Sequence, residues 1–206
     1  MLSQLTDGAR ALGLELSQPQ LDQLAELLSQ LLKWNSAYNL TAIKSEDEAL
    51  KLHLLDSLTI VPYWRFNKTL DVGTGPGFPG LPLAIALPDQ EFHLLDSNSK
   101  KIRFIRQQIH HLGITNVTAW HSRVEKHQAQ GYDSIVSRAF ASLTDMVELS
   151  EHLLDDGGRW MAMKGAYLAE EIEALPGWVE QVSVNQLQVP GLEADRCLIE
   201  LKRGNR

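Results

Sequence analysis

The feature that most constrains this chain is a run of ten residues, Asp71-Val-Gly-Thr-Gly-Pro-Gly-Phe-Pro-Gly80, set between a short aliphatic stretch and an apolar one. Glycines at such a junction let the backbone turn tightly and lie close to a ligand, so the run demands a strand, a turn and a helix in that order. Thr69 to Gly73 (TLDVG) reads as the strand and Leu81 to Leu87 as the buried helix. Glu91 to Asp96 is a second strand, and Ser97 to Gly113 an amphipathic helix with a core stripe of Ile102, Ile105, Ile109 and Leu112. The alternation continues through strands at 117–121 and 132–138, a helix at 143–154, a strand at 159–164 and a short helix near 170–175. Late strand-like runs follow at 179–189 and 196–202. Alternating elements of this kind build a mostly parallel sheet covered by helices on both faces. The expected fold is therefore α/β, a Rossmann-like doubly wound sheet of seven strands.

Before Thr69 the pattern is different. Leu21, Leu24, Leu27, Leu28, Leu31 and Leu32 form a helical stripe opened by Ser17 and Pro19, and Leu50, Leu54, Leu55 and Leu58 form another behind the acids Glu46 to Glu48. Residues 1–65 are thus expected as a helical extension packed on a main domain at 66–206. A chain of 206 residues is long enough for one sizeable core. Its single cysteine, Cys197, forms no internal disulfide and no Cys/His set has zinc spacing, so no metal is expected. The opening MLSQLTDGAR lacks a basic run followed by an apolar one, and nowhere do about 18 apolar residues run together. A cytoplasmic, non-membrane protein is expected. With 26 acidic and 19 basic side chains the formal charge is −7, which excludes a uniformly basic coat for nucleic acid but not a local patch.

The loop admits two ligands. Gly75-x-Gly77-x-x-Gly80 with Asp96 21 residues beyond Gly75 has the spacing of a dinucleotide-binding turn. A pyrophosphate, however, wants free N–H donors and no nearby carboxylate, whereas S-adenosylmethionine (SAM) brings a sulfonium and an ammonium. Asp71 at the strand end suits the cation, and Pro76 and Pro79 each delete a donor. SAM is favoured, with Asp71, Gly73, Gly75 and Gly77 around it, Asp96 on the ribose or capping the next helix, and Ser122-Arg123-Val124-Glu125 bordering the adenine. Ser137-Arg138-Ala139-Phe140 after the fourth strand faces the place where methyl donor and acceptor meet.

The acceptor leaves fainter marks. Cys197, in an apolar strand-like run, reads as structural rather than as the nucleophile that pyrimidine-carbon methylation needs, and the Asn/Asp-Pro-Pro-aromatic turn used on exocyclic amines is absent after the fourth strand. A ring nitrogen with its own lone pair needs neither nucleophile nor base. The helix after Asp96 carries Lys100, Lys101, Arg103 and Arg106 without one acid, and Lys100 and Lys101 in its first turn oppose the helix dipole. With Arg123, Arg138 and Lys164, each following a strand, they make a candidate phosphate-facing patch. A solvated face opposite the core stripe accounts for the helix equally well.

At these residues the chain resembles the glucose-inhibited division protein B family, the ribosomal small-subunit RNA methyltransferases G. The resemblance rests on Lys33-Trp34-Asn35-x-x-Tyr38-Asn39-Leu40-Thr41, His53-x-Leu55-Asp56-Ser57, the loop Asp71 to Gly80, Leu94-Leu95-Asp96-Ser97, Ser122 to Glu125, Ser137 to Ser142 and Lys164-Gly165. It implies a SAM-dependent enzyme that methylates N7 of guanine 527 in the 530 loop of 16S ribosomal RNA. It further implies that Gly73, Phe78, Val124, Glu125 and Arg138 contact SAM. Arg138 is then the residue that positions the acceptor, with no general base. The partner implied is 16S ribosomal RNA, within the small subunit or an assembly intermediate, and a monomer is expected. Trp34, Tyr38 and Asn39 read as a helix-packing pair and an Asn turn before they read as a lid, and His53 and Asp56 as a structural pair on one helix face. Lys202, Arg203 and Arg206 are a further candidate grip for flanking RNA. Other readings stay open on the residues: a SAM-dependent methyltransferase on another RNA, a nicotinamide-dependent oxidoreductase, and a SAM- or ribosome-binding factor without turnover.

Overall fold

A computed structural model describes residues 1–138, 140 and 142–204. Ala139, Ala141 and Arg206, which the sequence reading touched, lie outside the described residues. Helices α1 (Leu2–Ala11) and α2 (Gln18–Tyr38) come first. Gln20 Oε1 accepts from both the N–H and the hydroxyl of Ser17 at the start of α2, and Pro19 sits in the first turn where its missing donor costs nothing. A third helical run starts as α3 (Glu46–Ala49), capped by Ser45, winds through a π-helical turn at Leu50–Leu55 and ends as α4 (Asp56–Leu58).

The rest alternates: β1 (Lys68–Val72), α5 (Gly80–Ala86), β2 (Glu91–Asp96), α6 (Ser99–His111), β3 (Val117–His121), β4 (Tyr132–Ser137), α7 (Leu143–Ser150), β5 (Leu154–Lys164), α8 (Ala169–Glu173), β6 (Val179–Gln186) and β7 (Cys197–Arg203). The sheet runs β3-β2-β1-β4-β5-β7-β6, parallel from β3 to β5, with β7 antiparallel to both its neighbours. Strand β5 is longer than the expected 159–164, because Leu154 already pairs with Tyr132 before the bulge that separates it from Arg159.

Period-two alternation sorts the strand side chains onto two cores. Phe92, Leu94, Val136, Met161, Met163 and Leu198 face α1, α2, α5 and α6, while Leu70, Leu95, Ile135, Trp160, Ala162 and Ile199 face α7 and α8. The first core is continuous with Leu5, Leu24, Leu28, Leu54 and Leu58, so the amino-terminal helices share the apolar interior of the sheet. The chain passes from β1 outward to β3 on one side and from β4 to β5 on the other. The order therefore reverses between β1 and β4, and ligands of such sheets sit beyond the carboxyl ends of the strands at that reversal.

Candidate active site at the switch point

Two cavities lie there. One of about 220 Å³ is lined by Val72, Gly73, Asp96, Val124, Glu125 and Phe140 among others. The second, of about 410 Å³, is lined by Leu52, His53, Asp56, Arg138, Lys164 and Arg196 with Ile43, Met163, Gly165, Leu187 and Cys197. Arg138 and Phe140, two residues apart after β4, border one cavity each.

The glycine loop forms the floor between β1 and α5. Gly73, Gly75 and Gly77 have φ of 68°, 62° and 101°, a region that side chains rarely tolerate. A Cβ on Gly80 would lie 2.8 Å from Asp71 Oδ2 and from Leu94, so glycine is required there by close approach rather than by φ. The donors of this loop are committed. The N–H groups of Gly73 and Thr74 go to the Leu95 carbonyl, that of Gly75 to Asp96 Oδ2 (2.9 Å), and those of Gly77 and Phe78 to the Thr74 carbonyl. That of Gly80 goes to Asp71 Oδ2 (2.8 Å), and Pro76 and Pro79 have none. A pyrophosphate cradle needs the opposite arrangement, with N–H groups pointing at the ligand.

Asp96 ends β2 with its carboxylate divided: Oδ2 takes Gly75 N–H and Oδ1 takes Asn98 N–H at 2.7 Å. Each oxygen keeps lone pairs for a hydroxyl, and the residue is on the wall of the smaller cavity. Helix α6 is capped by Asn98, whose Oδ1 accepts from the N–H of Lys100 and Lys101, rather than by Asp96 itself. Asp71 lies beneath the loop, fully buried, accepting from Thr74 Oγ1 at 2.7 Å and from Gly80. Its other oxygen has no hydrogen-bond partner. Burial pushes its carboxyl up to about 7, against the opposing pull of its Thr74 and Gly80 hydrogen bonds. Phe78 is also buried, its ring stacked on His53 at 4.8 Å.

Across the end of β4 the chemistry is carried by side chains. Arg138 donates from Nη1 to the Leu52 carbonyl (2.7 Å) and to Asp56 Oδ2 (3.0 Å), and from Nη2 to His53 Nδ1 (3.2 Å). A guanidinium only donates, so His53 Nδ1 is the unprotonated nitrogen and Nε2–H faces Thr41 Oγ1 at 3.0 Å. Burial, helped by the Arg138 charge, holds this imidazole down to about 4, which leaves it neutral at physiological pH. The other Asp56 oxygen accepts from Arg196 Nε at 3.1 Å. Thr41 is fixed in turn by Asn35, whose side chain spans Thr41 N–H and the Ile43 carbonyl after the left-handed Asn39. Lys164 reaches the same cavity paired with Glu171 at 2.9 Å. Cys197 is buried on β7 with its thiol pushed up by burial, as suits a structural residue.

The structure divides the basic residues proposed from sequence. Arg138 and Lys164 share the larger cavity, and Arg123 borders the smaller one, 4.0 Å from Glu125. Along α6, Lys100 is exposed, whereas Arg103 donates to the Tyr38 hydroxyl at 3.2 Å and lies over the Trp34 and Tyr38 rings. Arg106 donates to the Ala119 carbonyl at 3.0 Å. Trp34 packs edge-on to Phe104 and against Tyr38, which is itself exposed. Lys202 and Arg203 pair with Glu180 and Asp156. Sequence reasoning missed Arg196 altogether; it precedes a late strand in no recognisable motif, and only the folding of β7 against β5 carries it to the β4 end.

Fold and site together define a Rossmann-like methyltransferase scaffold. A solved structure of ribosomal protein L11 methylase from Lactobacillus delbrueckii subsp. bulgaricus shares the fold, with a TM-score of 0.58 at 12% identity over 79% of this chain and 81% of that one. The family model for GidB, rRNA small subunit methyltransferase G, matches residues 20–199. The chain is 49% identical to the ribosomal RNA small subunit methyltransferase G of Marinomonas sp. over 197 residues, 95% of each protein. It is 48% identical to that of Idiomarina loihiensis over 92% of this chain and 93% of the relative. The chain belongs to the rRNA small subunit methyltransferase G family.

Proposed function

We propose that this protein transfers a methyl group from SAM to N7 of guanine 527 in 16S ribosomal RNA, as its family membership implies. SAM supplies an electrophilic methyl on a sulfonium. The observation that carries the choice of SAM over a nicotinamide dinucleotide is the saturation of the glycine loop: every N–H from Gly73 to Gly80 already has an acceptor inside the protein. Such a loop serves as a close wall and not as an anion cradle. In this reading Gly73, Gly75, Gly77 and the Phe78 backbone form that wall, Asp96 accepts from the ribose hydroxyls, and Val124 and Glu125 border the adenine. Asp71 holds the loop from below, its unpartnered oxygen adding negative potential under a cationic ligand when ionised.

The acceptor base belongs in the larger cavity, with Arg138 at the junction. N7 attacks through its own lone pair, so no residue has to remove a proton, and His53, neutral and with both ring nitrogens engaged, is a poor base for one. What the chain contributes is alignment and exclusion of water. Residues 1–65 act as a helical extension of the catalytic unit at 66–206, closing one side of the acceptor cavity with Leu52, His53 and Asp56. Exposed Lys100 with Arg123 extends a phosphate-binding rim. The protein works in the cytoplasm as a monomer on 16S RNA in the small subunit or its assembly intermediate. Calorimetric titration with SAM and with NAD tests the cofactor: saturable binding of SAM alone is expected, and preferential binding of NAD would overturn the reading.

A further inference from the structure

Asp56 stands between two arginines, one from the end of β4 and one from the residue before β7. One carboxylate oxygen holds Arg138 at 3.0 Å and the other Arg196 at 3.1 Å, and Asp56 is 2% exposed. These bonds, with those to the Leu52 carbonyl and His53 Nδ1, take three of the five N–H donors a guanidinium owns on Arg138. On Arg196 the Asp56 bond and one to the Asp195 carbonyl take two. Both guanidiniums thus keep donors, and both line the larger cavity. Two positive charges share one negative charge, since the imidazole is neutral. Lys164, by contrast, is answered by Glu171. A wall with net positive charge and spare N–H donors in two planar forks fits an anion with several oxygens. In an RNA substrate that anion is a phosphodiester.

The segment that delivers Asp56 and His53 points the same way. His53 lies within the π-helical turn Leu50–Leu55 and Asp56 caps it, and such turns are rare and frequently found at functional sites. The second guanidinium, 140 residues from Asp56 in sequence, takes the carboxylate's other oxygen and brings its remaining donors to the same cavity.

We propose that Asp56 is a positioning residue that sets Arg138 and Arg196 as a paired clamp on a phosphodiester of the RNA nucleotide whose base enters the larger cavity. The clamp rests on the RNA-methyltransferase reading above. It is tested by measuring kcat and KM on unmethylated small subunits, and SAM affinity, for the wild type, Arg196→Gln, Arg196→Lys, Asp56→Asn and the Asp56→Asn/Arg196→Gln double variant over a range of salt. Arg196→Gln leaves the Asp56–Arg138 pair to hold the fold, so it decides the matter even if Asp56→Asn fails to fold. It is expected to keep its SAM affinity, to raise KM by about tenfold or more, and to reduce the slope of log KM against log salt by roughly 0.7–0.9, one phosphate contact. Arg196→Lys should restore the salt slope in part. Asp56→Asn, which frees both guanidiniums, should raise KM and lower the salt slope at least as far as Arg196→Gln, and the double variant should lose little beyond Asp56→Asn. A wild-type KM and salt slope in Arg196→Gln, or a loss confined to SAM affinity or melting temperature, would overturn the clamp alone. A wild type that methylates no 16S RNA would overturn the functional reading beneath it.

Discussion

The two walls of the site are built from different material. On the donor side the wall is backbone: a ten-residue loop in which Gly73, Gly75 and Gly77 take positive φ, whose N–H groups from Gly73 to Gly80 are all bonded inward, and which two carboxylates, Asp71 and Asp96, hold from below and beside. On the acceptor side the wall is side chain: Arg138 from the β4 end, Asp56 and His53 from the amino-terminal helices and Arg196 from the edge of β7. A backbone wall is fixed by local geometry and tolerates little change of shape. A side-chain wall is fixed by long-range ion pairs, and its failures are failures of charge.

Breaking the acceptor wall should have the largest effect. Arg138→Ala removes the guanidinium that ties the β4 end to Leu52, His53 and Asp56, and methyl transfer should fall on the order of a hundredfold or more while Asp56 keeps Arg196 as a partner. Single-turnover kinetics beside circular dichroism checks this; wild-type turnover would remove Arg138 from the site. On the donor wall the signature is stability. Gly77→Ala forces a side chain onto φ 101° and brings a Cβ within 2.5 Å of Leu81, a cost of about 1–3 kcal/mol. Thermal unfolding should shift by about 2–4 °C for each kcal/mol, with weaker SAM binding.

Asp71 sharpens the contrast through pH. Burial raises its folded-state carboxyl to about 7, above the unfolded value, so its ionisation disfavours the fold. The stability it contributes when protonated is lost as pH rises toward 7 and is constant above. Asp71→Asn keeps an oxygen for Thr74 and Gly80, so urea unfolding between pH 5 and 8 should show wild type losing ground to the variant up to about pH 7 and then running parallel. A difference independent of pH would refute a perturbed Asp71. The smallest effects belong to α6. Lys100→Gln with Lys101→Gln should raise KM for RNA a few-fold and leave stability alone. Arg103→Ala should instead lower stability by about 0.5–1 kcal/mol through its lost contact with Trp34 and Tyr38, with KM unchanged.

The same division governs what could be read from sequence. The donor wall was legible because its determinants are contiguous: glycines, two prolines and an acid at each strand end state a backbone requirement within thirty residues. The sheet was legible for the same reason, through alternation, whereas nothing in the two late strand runs stated that β7 lies antiparallel between β5 and β6. The acceptor wall was half legible. Arg138 declared itself by following a strand, but its partners are 82 and 85 residues away, and Arg196 is 140 residues from Asp56. No periodicity encodes such pairs. His53 and Asp56 were seen at their helical spacing and read as a structural pair, which misses that both face Arg138 and that a π-helical turn carries them. Likewise the run of positive charge on α6 does not reveal that Arg103 is spent on two aromatic rings and Arg106 on a carbonyl.

Both walls serve one reaction at one atom. Purified protein, methyl-labelled SAM and small subunits from a strain lacking this activity, followed by strand cleavage specific for N7-methylguanine, test it most directly. Label at a single guanine, position 527 of 16S RNA, is the result predicted; label at another atom or another nucleotide, or none in particle or naked RNA while SAM binds, would contradict it.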